Sequence, residues 1–159
     1  MKRLLVLVLT LLFTAATGLS QDLPSINEKT EGLEKEEGYF TYYWDDDAGK
    51  IWLEIDKFDT EFLYVNSLTA GVGSNDIGLD RNQLGDDRIV QFERRGPKVL
   101  MMQPNYSYRA ITDNPKEKES VRDAFAQSVL WGFEVAAQNA DAVLVDATDF
   151  LMRDAHGVS

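Results

Sequence analysis

The chain has 159 residues, 27 of them acidic and 16 basic, with a formal charge of −11 and no cysteine. That length is enough for one domain with a buried core, and without cysteine no disulfide can brace it, so packing alone must hold the fold. The excess of carboxylates repels phosphate backbones and anionic headgroups, which sets nucleic acid and anionic membrane surfaces aside as partners.

Residues 1–20 have the order of a Sec-type signal peptide. Lys2 and Arg3 form a basic start, Leu4 to Phe13 an apolar run too short to span a bilayer comfortably, and Thr14 to Gly18 a small-residue region. Cleavage after Gly18 or Ser20 satisfies the small-residue requirement; the rival reading is an uncleaved anchor. Export to the periplasm or beyond the cell is expected, with no membrane span left after cleavage. Loss of Lys2 and Arg3 leaves 14 basic residues against 27 acidic, a formal charge of −13.

Residues 21–37 are polar and charged, and are expected to be an extended or partly helical lead-in that packs weakly if at all. From residue 38 to 159 the pattern is β-rich. Tyr39 to Trp44 is dense in aromatic and β-branched residues, and Lys50 to Ile55 alternates apolar residues. The acidic turn between them, ending in Gly49, predicts a β-hairpin. Glu61 to Leu68 predicts a third strand, apolar on both faces and so covered on both sides.

Thr69 to Gly85 (TAGVGSNDIGLDRNQLG) has four glycines in seventeen residues and no aromatic residue. Gly permits positive φ, while Asn and Asp bond back to their own backbone, so this is loop chemistry. Ile77, Leu79 and Leu84 are expected to pin it to the core as an ordered loop. Arg88 to Arg94 and Lys98 to Gln103 form a second predicted hairpin around Arg95-Gly96-Pro97, and Asn105 to Ile111 a possible edge strand.

Asn114, Pro115 and Glu117 have the spacing of an N-cap, a first helical position and a capping-box acid. Val121, Ala124, Phe125 and Val129 recur at helical spacing, which predicts a helix running to about Leu130. Phe133 to Ala137 and Ala142 to Val145 then read as strands. The predicted class is α+β: a mainly antiparallel sheet of six to eight strands built from hairpins, with one main helix packed on it. The final DATDFLMRDAHGVS stops in mid-pattern, which suggests a truncated chain.

No residue pattern makes a catalytic, cofactor or metal site. The single histidine, His156, reads best as a loop residue, and no multi-histidine zinc site can be assembled. Asp45, Asp46 and Asp47 before Gly49 hint at calcium, but their spacing fails the EF-hand pattern and a hairpin turn explains them. Asp76, Asp80, Asp86 and Asp87 invite the same idea, and turn closure is again the default. Glu54 and Glu61 stand on separate strands and read as solvent-face carboxylates. GVGSNDIG lacks the G-K-[ST] ending of a phosphate loop.

Several blocks together, in one order over about Ile26 to Ser159, carry a resemblance. They are GLEKEEGYFTYYWDDDAGKIWLEI, EFLYVNSLTAGVGSNDIGLDRNQLG, RIVQFERRGPKVLMMQPNYSYRA, DAFAQSVLWGFEVAAQ and VLVDATDFLMRDAHGV. The chain resembles the N-terminal region, catalogued as a domain of unknown function, of large secreted bacterial zinc-dependent metalloproteases. The resemblance implies a downstream catalytic domain, with an extended H-E-x-x-H-x-x-G-x-x-H motif that holds zinc and activates water. None of those motif residues is in this chain, so zinc is implied only for that other domain. The expected role is an exported, non-catalytic platform for that domain, with peptide as a possible further partner. The alternative is a free-standing secreted module that binds peptide or glycan.

Overall fold

The computed structural model describes residues 23–71, 76 and 78–157. The signal-peptide reading of residues 1–20 lies outside the described residues. The described residues form eight strands: β1 (Glu34–Glu36), β2 (Thr41–Asp45), β3 (Lys50–Ile55), β4 (Phe62–Tyr64), β5 (Arg88–Arg95), β6 (Lys98–Gln103), β7 (Ser128–Gln138) and β8 (Val143–Asp146). Among the described residues three helices accompany them: α1 (Ile26–Lys29), α2 (Pro115–Ala124) and α3 (Thr148–Met152). The strands make one antiparallel sheet in the order β1-β2-β3-β8-β7-β6-β5-β4, in agreement with the expected mainly-β α+β class.

Both predicted hairpins form. In the first, Gly49 closes the turn at φ 62°, and Asp45 Oδ1 accepts from Ala48 N at 2.9 Å. In the second, Gly96 at φ 62° precedes Pro97, and Arg95 pairs with Lys98. Positive φ at these tips is what glycine supplies without a Cβ clash.

Residues paired across a ladder share a face, and neighbours along a strand alternate. One face carries the main core, with Ile55, Val90, Phe92, Val99, Met101, Phe133 and Val145 all buried. Phe40, just before β2, reaches Phe62 on β4 at a ring separation of 5.1 Å and Phe92 at 5.4 Å. Since β4 is an outermost strand, the sheet must curl for that contact. Phe150 of α3 closes the same core, against Phe133 at 5.5 Å and Trp131 at 5.6 Å. The opposite face holds a smaller core of Tyr43, Trp52, Ala137 and Leu144 beneath Ile26.

Ile26 corrects the expectation for the lead-in, which docks rather than trailing loosely. Ser25 Oγ accepts from Glu28 N at 3.2 Å and Glu28 Oε2 accepts from Ser25 N at 2.9 Å, a full capping box. Gln138 N donates to Pro24 O at 3.0 Å and Ile26 N to Asn139 Oδ1 at 3.1 Å, tying the segment to the end of β7.

The helix expected to reach Leu130 ends at Ala124, and Val129 and Leu130 belong to β7 instead. Val129 pairs with Met102 and Ser128 with Gln103; ladder bonds and β-branched packing outweigh the helical spacing there. As a result α2 buries no residue, although its Asn114 cap and Pro115 start are as expected. Residues 105–111 form no strand, and Ile111 is fully exposed. The strand read over Glu61 to Leu68 is regular only from Phe62 to Tyr64, and Leu63 is 61% exposed rather than covered.

Candidate functional site

The glycine-rich stretch stands on an extension of the β4–β5 ladder. Phe62, Leu63 and Tyr64 pair with Val90, Ile89 and Arg88, and Ser67 bridges Leu84 in the same antiparallel sense. Leu68 N donates to Gln83 O at 3.0 Å, Asn82 N to Leu68 O at 2.8 Å, and Gly85 N to Asn66 O at 2.8 Å. Residues 62–68 and 83–90 thus run side by side as a ribbon whose register shifts by one residue between the Tyr64–Arg88 pair and the Ser67–Leu84 bridge, and Asn82, at φ 65°, makes the turn out of it. Gly71 is needed by close approach: a Cβ there would stand 2.8 Å from the Arg81 backbone nitrogen.

The expected anchoring of the loop by apolar side chains does not extend to Leu84. Leu84 is 64% exposed, Leu79 is half-buried, and Ile77 lies outside the described residues. Backbone pairing at the base does the work because Leu84, at its bridge with Ser67, points to the solvent side of the ribbon.

Beside this ribbon lies a cleft of about 440 Å³ between the backbone of Tyr64 to Leu68 and that of Phe150 to His156. Two side-chain links cross it. Arg153 Nη2 donates to Tyr64 OH at 2.9 Å, and Asn66 Nδ2 lies 3.0 Å from His156 Nε2. The Arg153 guanidinium stacks on Phe150 at 3.9 Å, and its Nη1 donates to Phe150 O at 2.7 Å. His156, read from sequence as a loop residue, sits in a turn and joins the end of the described chain to the ribbon. No periodicity could have announced that pairing across 90 positions.

A second groove runs on both sides of Pro104 to Tyr106, with lobes of about 530 and 310 Å³. Tyr108 stacks flat on Phe125 there, at 3.9 Å and 6°. Arg109 lies over the Tyr106 ring at 5.0 Å.

Some of the carboxylates considered above take local partners. Asp46 Oδ1 accepts from Trp44 Nε1 at 3.3 Å, and Asp86 pairs with Arg88 at 3.6 Å. Glu54 accepts from Tyr43 OH at 2.7 Å, and burial together with that bond pushes the Tyr43 phenol up to about 12. Glu61 lines the second groove, so the two glutamates are not brought together as a pair. Asp146 accepts from Lys50 at 2.7 Å and from Thr148 N and Oγ1 at 3.0 and 2.6 Å. Burial works to raise the Asp146 carboxyl, but these bonds and the Lys50 charge outweigh it and hold it below its usual range.

The residues do not fit a zinc centre. The chain has one histidine and no cysteine, and among the described residues no three His, Cys, Asp or Glu side chains gather to hold an ion. Also among the described residues, no helix is long and apolar enough to cross a membrane.

No curated protein and no solved structure matches the chain. Two family models do. Residues 23–71 match one described as Domain of unknown function (DUF5118), and residues 82–159 one described as Domain of unknown function (DUF5117). The first stretch supplies β1 to β4 and the second β5 to β8, yet β3 pairs with β8 and β4 with β5. The chain is therefore an uncharacterised domain region in which two adjoining family matches interleave in a single sheet.

Proposed function

We propose that this chain is the exported, non-catalytic N-terminal portion of a zinc-dependent metallopeptidase-like protein, and that it serves as a β-rich platform for a downstream catalytic domain. The resemblance in sequence suggests the reading, and one surface supports it. Leu63 pairs with Ile89, Met102 with Val129, and Ile89 and Met102 lie on the same face through Gln91. Leu63 is 61% and Val129 55% exposed, and Ile89 is exposed beside them. An apolar strip of this kind, away from the main core, is what a docked domain covers.

Sequencing the transcript past codon 159 tests the reading first. An open frame that encodes H-E-x-x-H-x-x-G-x-x-H is expected, and amide exchange along β4, β5 and β6 should slow when that domain is present. A stop codon at that point would overturn the platform role.

The second reading, a secreted module that binds peptide or glycan, draws on the groove beside Tyr106. Exposed Tyr106 and Tyr108 offer ring faces next to the amides of Gln91, Gln103 and Asn105. Titration with soluble oligosaccharides, followed by tyrosine fluorescence, separates it from the platform reading.

A further inference from the structure

We propose that the groove between α2 and the sheet holds an acidic glycan, with the carboxylate of a uronate ring set against Arg109 and Lys118. The inference rests on the second reading above and gives its ligand a charge.

One face of α2 roofs this groove. Lys118, Val121, Arg122 and the C-cap Phe125 stand at i, i+3, i+4 and i+7, and all four line it. The sheet supplies the floor through Gln91 of β5 and Glu61, just ahead of β4. A helix packed on a sheet sets such a face into the core, yet α2 buries no residue. It stands off instead. The lobe beneath it has about 310 Å³, within the range of about 300–1,000 Å³ of small-molecule sites.

Charge selects the ligand. The chain is strongly acidic, at −11, but among the described residues lining this lobe three are cations, Arg109, Lys118 and Arg122, against one carboxylate, Glu61. Arg122 is partnered by Glu119 and Asp123, at 3.5 and 3.8 Å. The other two cations are not. Arg109 Nε donates to Tyr106 O at 3.1 Å, while its terminal nitrogens and Lys118 Nζ have no acceptor among the described residues. Both side chains also border the adjoining recess of Ala110 to Asp113, so they stand on the ridge between two hollows. A guanidinium fork beside an ammonium suits a carboxylate.

The rings select a sugar to carry it. The flat stack of Tyr108 on Phe125 uses one face of each ring, and Tyr108 remains 55% exposed. Its outer face is electron-rich and accepts the C–H side of a sugar ring. Gln91 donates its amide to Glu93 Oε1 at 2.9 Å, which leaves its carbonyl oxygen to accept from a hydroxyl. An acidic peptide would satisfy the cations and leave the ring platform idle. Nucleic acid carries a charge on every unit, which the rest of the chain repels.

The experiment titrates the whole chain by calorimetry with tetragalacturonate and with tetramannuronate. Each is compared with its methyl ester, which keeps rings and linkages but lacks the charge. At least one acid should bind about tenfold more tightly than its ester, as expected for a charge-assisted contact at an exposed site, with amide shifts at Gln91 and within 105–125. Lys118→Gln should remove most of that difference and leave ester binding unchanged. Lys118 is exposed on a helix that buries nothing, so the melting temperature should not move. The comparison of acid with ester on unaltered protein decides the matter even if the variant folds poorly. An ester bound as tightly as its acid would overturn the anionic site and leave the glycan reading standing. No binding of any of these sugars would sink both. Hexaglutamate held in this groove more tightly than either uronate would make the ligand an acidic peptide and overturn the proposal.

Discussion

Asn66 Nδ2 and His156 Nε2 stand 3.0 Å apart although 90 positions separate them in the chain. With the amide donating, the ring nitrogen accepts and the imidazole proton sits on Nδ1. Gly85 lies under the pair, and a Cβ there would come within 2.5 Å of the Asn66 side chain. Gly85→Ala should therefore swing Asn66 away and break the link, at a cost of about 1–3 kcal/mol. Thermal melting together with the His156 ring resonances checks this; an unmoved resonance would mean that Asn66 adapts without releasing the ring.

Gly71 and Gly78 of the loop should respond differently. Gly78 has φ 67° and open space around its Cα, so Gly78→Ala should cost on the order of 1 kcal/mol through backbone strain alone. Gly71→Ala should cost more, because the atoms it meets are the backbone of Leu79 to Arg81. Asp80 uses its carbonyl, which accepts from Gln83 N at 2.9 Å, to close the turn. Asp80→Asn should then barely move the midpoint, and chelator should leave all three proteins unchanged. A calcium-dependent rise that vanishes in Asp80→Asn would restore the metal reading.

Tyr43 sets an alkaline limit. Its folded pKa is raised from the ordinary 10.0 to about 12, so its contribution is complete below pH 10 and is lost as pH climbs through about 12. Tyr43→Phe should cost about 1 kcal/mol at neutral pH through the lost bond to Glu54, and should flatten stability between those two pH values. Denaturant melts of both proteins across that range give the comparison.

The acid side is governed in part by Asp146, whose depressed carboxyl stabilises the fold above its ordinary value of 3.8 and ceases to do so as pH falls below it. Asp146→Ala removes the bonds to Lys50 and Thr148 together, and should cost about 1–2 kcal/mol. Asp146→Asn should cost less, since its amide oxygen can still accept from Thr148 N and Oγ1. Equal losses in the two variants would show that the pairing with the Lys50 charge, not the bonds to Thr148, carries the effect.

Leu63→Lys tests the apolar strip. The unaltered chain should self-associate as its concentration rises, and the lysine, on an edge strand where charge blocks pairing, should shift it toward monomer in sedimentation. A clean monomer before substitution would remove the need for a covering domain.

Much of the sheet was legible because hairpins are local. Thr41 to Ile55 and Arg88 to Gln103 each carry their alternation and turn within a short span, and both form. The Ser25–Glu28 capping box was equally local and went unread because the surrounding charge suggested a loose lead-in. Val129 and Leu130 deceived for a different reason. Their helical spacing is genuine, but Met102 and Gln103 claim that stretch for the sheet, and those partners lie far away in sequence. The cleft beside Ser67 is less legible still, since its walls come from opposite ends of the fold. Nothing in the composition of residues 150–156 announces a neighbour at 64–68.

The pairing of β3 with β8 has a consequence for synthesis. Lys50 and Asp146 meet across 96 positions, so the inner edge of the first hairpin emerges long before its partner. At roughly 5–20 residues per second, about five to twenty seconds pass before the last strand can be laid down. During that interval Ile51 to Ile55 offer an open, apolar edge to any passing chain. The far margin is guarded from the start, because β1 reads Glu-Lys-Glu and repels a stray strand. A nascent chain that must wait with one edge bare needs either a holding chaperone or slow traffic around it. A cell that makes this protein quickly would be expected to lose part of each batch before the sheet closes.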